Sequence, residues 1–151
     1  MTILPSKRVS IVSLSLVKES SLLYGPRRCQ TSDDAYELIR PFIENKDREH
    51  LVNIGLNSKN EPTVVHLVHI GTVNQSIAVP RDILKSVLLS NATLLMIGHN
   101  HPSGDPTPSL ADERLTEKLY KASELFGIEL LNHLIIGDEC YYSFREHQKL
   151  G

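Results

Sequence analysis

The stretch that most restricts the fold runs from Thr93 to Phe126. Thr93 to Gly98, TLLMIG, is a short apolar run that reads as a buried strand. A loop rich in Pro, Ser and Gly follows, from Pro102 to Pro108. Leu115, Leu119, Ala122, Leu125 and Phe126 then recur at helical spacing, which predicts a helix over about residues 109–126 that stops at Gly127. Ile128 to Ile136 is expected as a last core strand. Strand, loop, helix and strand in that order call for helices packed on a sheet.

The flanks extend this pattern. Residues 9–17, VSIVSLSLV, alternate apolar residues and Ser from Val12 onward and are expected as a half-buried strand. YGPRRCQTSDD reads as a loop, and Ser32 or Asp33 is placed to cap a helix bearing Ala35, Leu38, Ile39 and Phe42. Pro41 should bend or weaken the end of that helix. Val52, Ile54 and Leu56 alternate as in a strand over about residues 49–57. Asn57 to Asn60 is turn material, and Thr63 to Ile70 reads as the hairpin partner. Pro80 suits a first helical turn ahead of the apolar face Ile83, Leu84, Val87 and Leu88. The order β-α-β-β-α-β-α-β predicts an α/β (α+β) fold with a mixed sheet. Residues 1–28 are expected as a strand-and-loop arm, and residues 29–151 as a single domain.

Composition narrows the function classes. A chain of 151 residues suits one domain, and 40% hydrophobic with 23% charged residues marks a globular chain rather than a disordered one. A net charge of −2 excludes a strongly basic whole-surface footprint for nucleic acid. The charge is uneven, because five basic residues and one acid precede residue 29, leaving 11 of the 16 basic and 17 of the 18 acidic residues for the body. No apolar run approaches the roughly 20 residues that span a bilayer, and the opening MTILPSKRVS lacks the apolar core of a signal peptide. Cys29 and Cys140 form no CxxC pair and no disulfide framework. Two free thiols fit a reducing, cytoplasmic setting.

The chemistry concentrates in His99-Asn100-His101-Pro102-Ser103-Gly104-Asp105-Pro106-Thr107-Pro108-Ser109-Leu110-Ala111-Asp112. A spacing of two puts His99 and His101 on one face of the strand end, with Asn100 turned away. Asp112 lies on the first turn of the following helix, from which its carboxylate can reach back. Two imidazoles and one carboxylate are a natural three-residue zinc site, leaving a fourth position open to water. Ser109-x-x-Asp112 is equally the pattern of a helix cap. The two readings are compatible, since Ser109 can cap through one group and face the site with its hydroxyl.

HNHPSGDPTPSLAD resembles the metal motif of the JAMM (MPN-plus, or JAB) metalloproteases, and in particular the RadC family. Asp47 to Leu51, Gly71 to Asn74, Pro80-Arg81, Leu88 to Ala92 and Leu131 to Gly137 are similar to RadC segments too, so the likeness covers about residues 30–146. It implies a JAMM fold, a mixed sheet flanked by helices and related to cytidine deaminases. It also implies a zinc-dependent hydrolase acting on a peptide or protein substrate. His99, His101 and Asp112 match the zinc ligands, Ser109 the donor to the developing oxyanion, and Glu49 the general base. RadC relatives often carry Asp where this chain has Asn132. If that acid orients a metal-bound imidazole in relatives, Asn132 would do so less strongly.

Other candidates weigh less. Glu44 and Glu61 compete with Glu49, but Glu61 falls in the turn. Asp105 could stand in for Asp112, yet Gly104 and Pro106 around it suggest a turn residue, and Ser103-Gly104 beside it could line a substrate groove. His66 and His69 face opposite sides of their strand, and His50 and His147 read as surface groups. His133, inside an apolar strand, is a core histidine or a hydrogen-bonding neighbour of the site.

The family name raises a second function, a DNA-repair accessory protein whose metal site is not proteolytic. Arg27 and Arg28 are a weak basic spot for that role. Nucleobase deamination would need an HxE plus PCxxC pattern, which the chain lacks. A scaffold without catalysis is disfavoured because every ligand position is filled. The alternating arm could also add to an extended peptide or pair with a second copy as a homodimer.

Overall fold

Helix caps and alternating strands convert this sequence into three layers. The computed structural model describes all residues except Met1, Pro5, Pro26 and residues 74–79. Pro26 of the expected loop and Asn74 of the Gly71–Asn74 segment therefore lie outside the described residues. The elements run α1 (Ser32–Ile43), β1 (His50–Leu56), β2 (Pro62–Ile70), α2 (Pro80–Leu89), β3 (Leu94–Asn100), α3 (Leu110–Leu125), β4 (Glu129–Ile136) and β5 (Tyr141–Ser143). The sheet has the order β2-β1-β3-β4-β5. Among the described strands only β3 and β4 pair in parallel. This is the expected mixed α/β architecture.

Strand alternation sorts the core into two. Leu51, Leu95, Ile97 and Leu130 face α2 and α3, where Ile83, Val87, Leu115 and Leu119 meet them. Val52, Ile54, Met96 and Leu134 face α1, which returns Ala35, Leu38, Ile39 and Ile43. Gly98 lets α1 approach β3 closely, since a Cβ there would fall 2.7 Å from Ile39 Cγ2. The hairpin turn between β1 and β2 is held by Asn57, whose Oδ1 accepts from Lys59 and Glu61 N–H.

Two expectations need correction. Residues 9–17 form no strand, and every one of them is exposed. Alternation makes a segment suitable for a sheet, but a strand also needs a ladder partner, and neither sheet edge supplies one here. The first helix is capped by Thr31 rather than Ser32 or Asp33. Thr31 Oγ1 accepts from Asp34 N–H while the Asp34 carboxylate accepts from Thr31 N–H. Pro41 lies in the last turn of α1, and the helix ends two residues later at Ile43. The short strand β5 carries no readable sequence pattern.

Cys29 and Cys140 are both free, the first buried with its thiol pushed up to about 12 by burial. No helix of the described residues is long and apolar enough to cross a membrane.

Candidate metal centre

β3 carries both imidazoles to the end of the sheet, on the face covered by α3. His99 is fully buried within the strand. His101 extends the parallel ladder by one more bond, from its N–H to Ile136 O at 2.9 Å. The chain then turns over Gly104, at φ +87°, and runs into α3. Ser109 caps that helix. Its Oγ accepts from Asp112 N–H at 3.1 Å, and its own N–H donates to Asp112 Oδ2 at 2.8 Å. The cap thereby fixes the carboxylate in front of the two rings.

The three groups meet closely. His99 Nε2 lies 3.2 Å from His101 Nε2 and 3.2 Å from Asp112 Oδ1, and His101 Nε2 lies 3.1 Å from Asp112 Oδ2. Both rings engage the protein through Nδ1. His101 Nδ1 donates to Asp105 O at 2.9 Å, and His99 Nδ1 lies 2.8 Å from His133 Nε2. Both Nε2 atoms and the carboxylate therefore face one another, and acceptors this close repel unless positive charge lies among them. A tetrahedral ion with bonds of about 2.0–2.1 Å has ligand–ligand edges of about 3.3 Å, so the arrangement suits such an ion. These are also the described side chains whose donor atoms cluster tightly enough to hold a metal.

Electrostatics agree. Burial alone would raise the Asp112 carboxyl, but the His101 and His99 imidazoles beside it and the Ser109 N–H overcome it and hold the group far below the ordinary carboxylate range. The hydrogen bond to Asp112 raises the His101 pKa against the opposing effect of burial, with Glu49 adding to the rise. Burial holds His133 well below the ordinary histidine value, so it is a neutral ring.

The other expected residues are placed as follows. Glu49 is partly buried just before β1. Continuing the antiparallel register that pairs Leu51 with His99 sets it across from His101. Its Oε2 accepts from Val73 N–H at 2.6 Å and its carbonyl from Gly71 N–H at 2.7 Å. Asn100 straddles it, donating to Arg48 O at 2.9 Å and accepting from His50 N–H at 2.6 Å. Glu61 instead pairs with Arg27, and Glu44 with Arg40. Asp105 turns its carboxylate to Thr107 and gives the site only its carbonyl. Beside His101 a cleft of about 280 Å³ opens, lined by Lys46, Asn100, Ser103, Gly104 and Asp138 among others.

Asn132 does not orient an imidazole. A bulge in β4 aligns Leu130 with Leu95 but Asn132 with Met96, which turns Asn132 toward α1. There it bonds Ser32, Ser143 and the Arg145 N–H. The same bulge turns His133 to the site face. Thr116 on α3, which the sequence reading did not single out, completes this neighbourhood 2.6 Å from His133 Nδ1. Its place four residues after Asp112, one helical turn on, was the available signal.

A family model described as the RadC-like JAB domain matches residues 29–150. The chain belongs to that family. Similar curated proteins include a UPF0758 protein of Chlorobium phaeovibrioides, 41% identical over 125 residues, which are 83% of this chain and 56% of that protein. One of Chlorobium luteolum is 42% identical over the same shares of each chain. One of Methanosarcina mazei is 38% identical over 120 residues, 80% of this chain and 52% of that protein. The chain spans about half the length of the curated relatives it matches. JAB domains are typically metal-dependent hydrolases, and His99, His101 and Asp112 form a possible metal triad of that kind.

Proposed function

We propose that this chain is a zinc-dependent hydrolase that cleaves a peptide or isopeptide bond in a protein or peptide substrate. The observation that carries the proposal is the convergence of His99 Nε2, His101 Nε2 and the Asp112 carboxylate at 3.1–3.2 Å. These three residues would hold the ion. When bound, zinc supplies Lewis acidity toward a carbonyl oxygen and makes water acidic enough to ionise near neutral pH.

The surrounding residues supply the rest. Glu49 takes the proton from the attacking water at its carboxylate and returns it to the leaving amine. Its Oε2 is fixed by the Val73 N–H, and Asn100 holds the backbone on either side of it. The Ser109 Oγ accepts from Asp112 N–H and keeps its proton to donate to the developing oxyanion. The cleft beside His101 gives an extended chain room to lie against the site.

Metal analysis of the purified chain tests the reading, with about one zinc per chain expected and loss of that zinc in His99→Ala and His101→Ala. A peptide-library cleavage screen should show activity that chelator removes and zinc restores. Cleavage that survives chelation, or that persists in His101→Ala, overturns it.

A further inference from the structure

The side chains behind His99 form a chain of hydrogen bonds whose direction is set at its far end. Thr116 Oγ1 donates its single proton to Asp112 O at 2.9 Å, one helical turn back. The 2.6 Å contact between Thr116 Oγ1 and His133 Nδ1 must then carry a proton from the ring to the hydroxyl. A neutral imidazole has one N–H, so His133 Nε2 is an acceptor. Among the described residues the group it meets is His99 Nδ1, at 2.8 Å, which must donate. His99 is left with an unprotonated Nε2, the atom that faces His101 and Asp112.

We propose that Thr116 and His133 are positioning residues that hold His99 in its Nδ1–H tautomer, ready to bind a divalent ion through Nε2. The inference rests on the metal-centre reading above and adds two residues to it. Burial supports it, because His133 has no exposed surface and Thr116 has 1%. No water can substitute for either partner. Phe144 stacks on the His133 ring at 4.7 Å between centroids and 9° between planes, which holds the plane of the ring between Thr116 and His99. The path starts on the Asp112 carbonyl and ends on His99, and so it ties two of the three facing residues to each other through the core. Partners behind a ligating imidazole typically change metal affinity by about 10–100-fold when removed.

Two variants isolate the effect. Thr116→Val keeps the shape but removes the acceptor for His133 Nδ1–H, while Thr116→Ser keeps the hydroxyl. Zinc affinity, measured by competition with a chromophoric chelator, is expected to fall about 10–100-fold in Thr116→Val and to stay near the parent's value in Thr116→Ser. Long-range proton–nitrogen NMR spectra should show His133 protonated at Nδ1 in both the metal-free and the zinc-loaded chain. Equal zinc affinity in Thr116→Val and the parent overturns the proposal, as does a His133 protonated at Nε2. Zinc binding by the parent tests the metal reading alone, and the ring tautomer of the metal-free chain tests the relay alone, so the two can fail separately.

Discussion

The Ser109 N–H donates to Asp112 Oδ2 at 2.8 Å, and the same oxygen lies 3.1 Å from His101 Nε2. Helix cap and site residue are thus one group. Ser109→Ala removes the Oγ side of this cap but leaves the backbone donor that holds Asp112. Urea unfolding should show a loss of about 1 kcal/mol, with zinc affinity little changed. Turnover should fall by about 100–1000-fold if the hydroxyl serves the oxyanion. Unchanged turnover would remove Ser109 from the chemistry and leave it as a cap.

Glu49→Gln offers a complementary separation. The Gln carbonyl can still accept from Val73 N–H, so the fold and the zinc content are expected to persist. Proton transfer is lost, and turnover should drop by at least about 100-fold. Steady-state kinetics beside metal analysis reads both. A fully active variant that still binds zinc would require another base.

The metal-free chain should respond to acid through Asp112. Its folded pKa is depressed by the neighbouring His101 and His99 imidazoles and the Ser109 N–H, which outweigh burial. The stability it contributes is therefore present above the unfolded value of about 3.9 and is lost as pH falls toward the depressed one. His101 has the opposite sign. Its raised pKa contributes stability below about 6.5 that is lost as pH rises through the folded value. His133, depressed by burial, loses stability as pH falls below about 6.5, where the unfolded chain takes up a proton that the folded ring refuses. Between about pH 4 and about pH 2 the parent should lose more stability in urea titrations than Asp112→Asn. Equal losses in both would contradict the depressed carboxyl.

Gly98→Ala probes the contact that seats α1 on β3. A Cβ there would lie 2.7 Å from Ile39 Cγ2 inside a packed core, and overpacking of this kind costs about 1–3 kcal/mol. Ile39→Ala should relieve it, making the double variant more stable than the two single losses predict. Strict additivity would mean the clash is absorbed elsewhere.

Much of the site was legible because its residues are close in sequence. His99 and His101 share a strand face by spacing alone, and Ser109-x-x-Asp112 places a carboxylate on the first turn of a helix. Glu49 came only from resemblance, since its run of charges reads as a solvated surface. What places it is a register across two strands, together with the Asn100 amide. The contrast between Asn132 and His133 was not legible. One extra residue in β4 decides which of them faces the imidazoles, and a bulge leaves no mark in hydrophobic periodicity. His133 proved to be both a core histidine and a partner of the site. The arm at residues 9–17 failed for the converse reason, because alternation is a local property and strand pairing is not.

The Asp112 carboxylate is fastened by the first turn of α3 rather than by whatever it binds. It cannot swing out to solvent when a cation departs without breaking the Ser109 bond that starts the helix. The orientational entropy of the ligand set is thus surrendered during folding, before any ion arrives. A chain stripped by chelator should keep the outline of its vacant corner and refill it at a speed set by ion encounter, with no slow structural rearrangement in between.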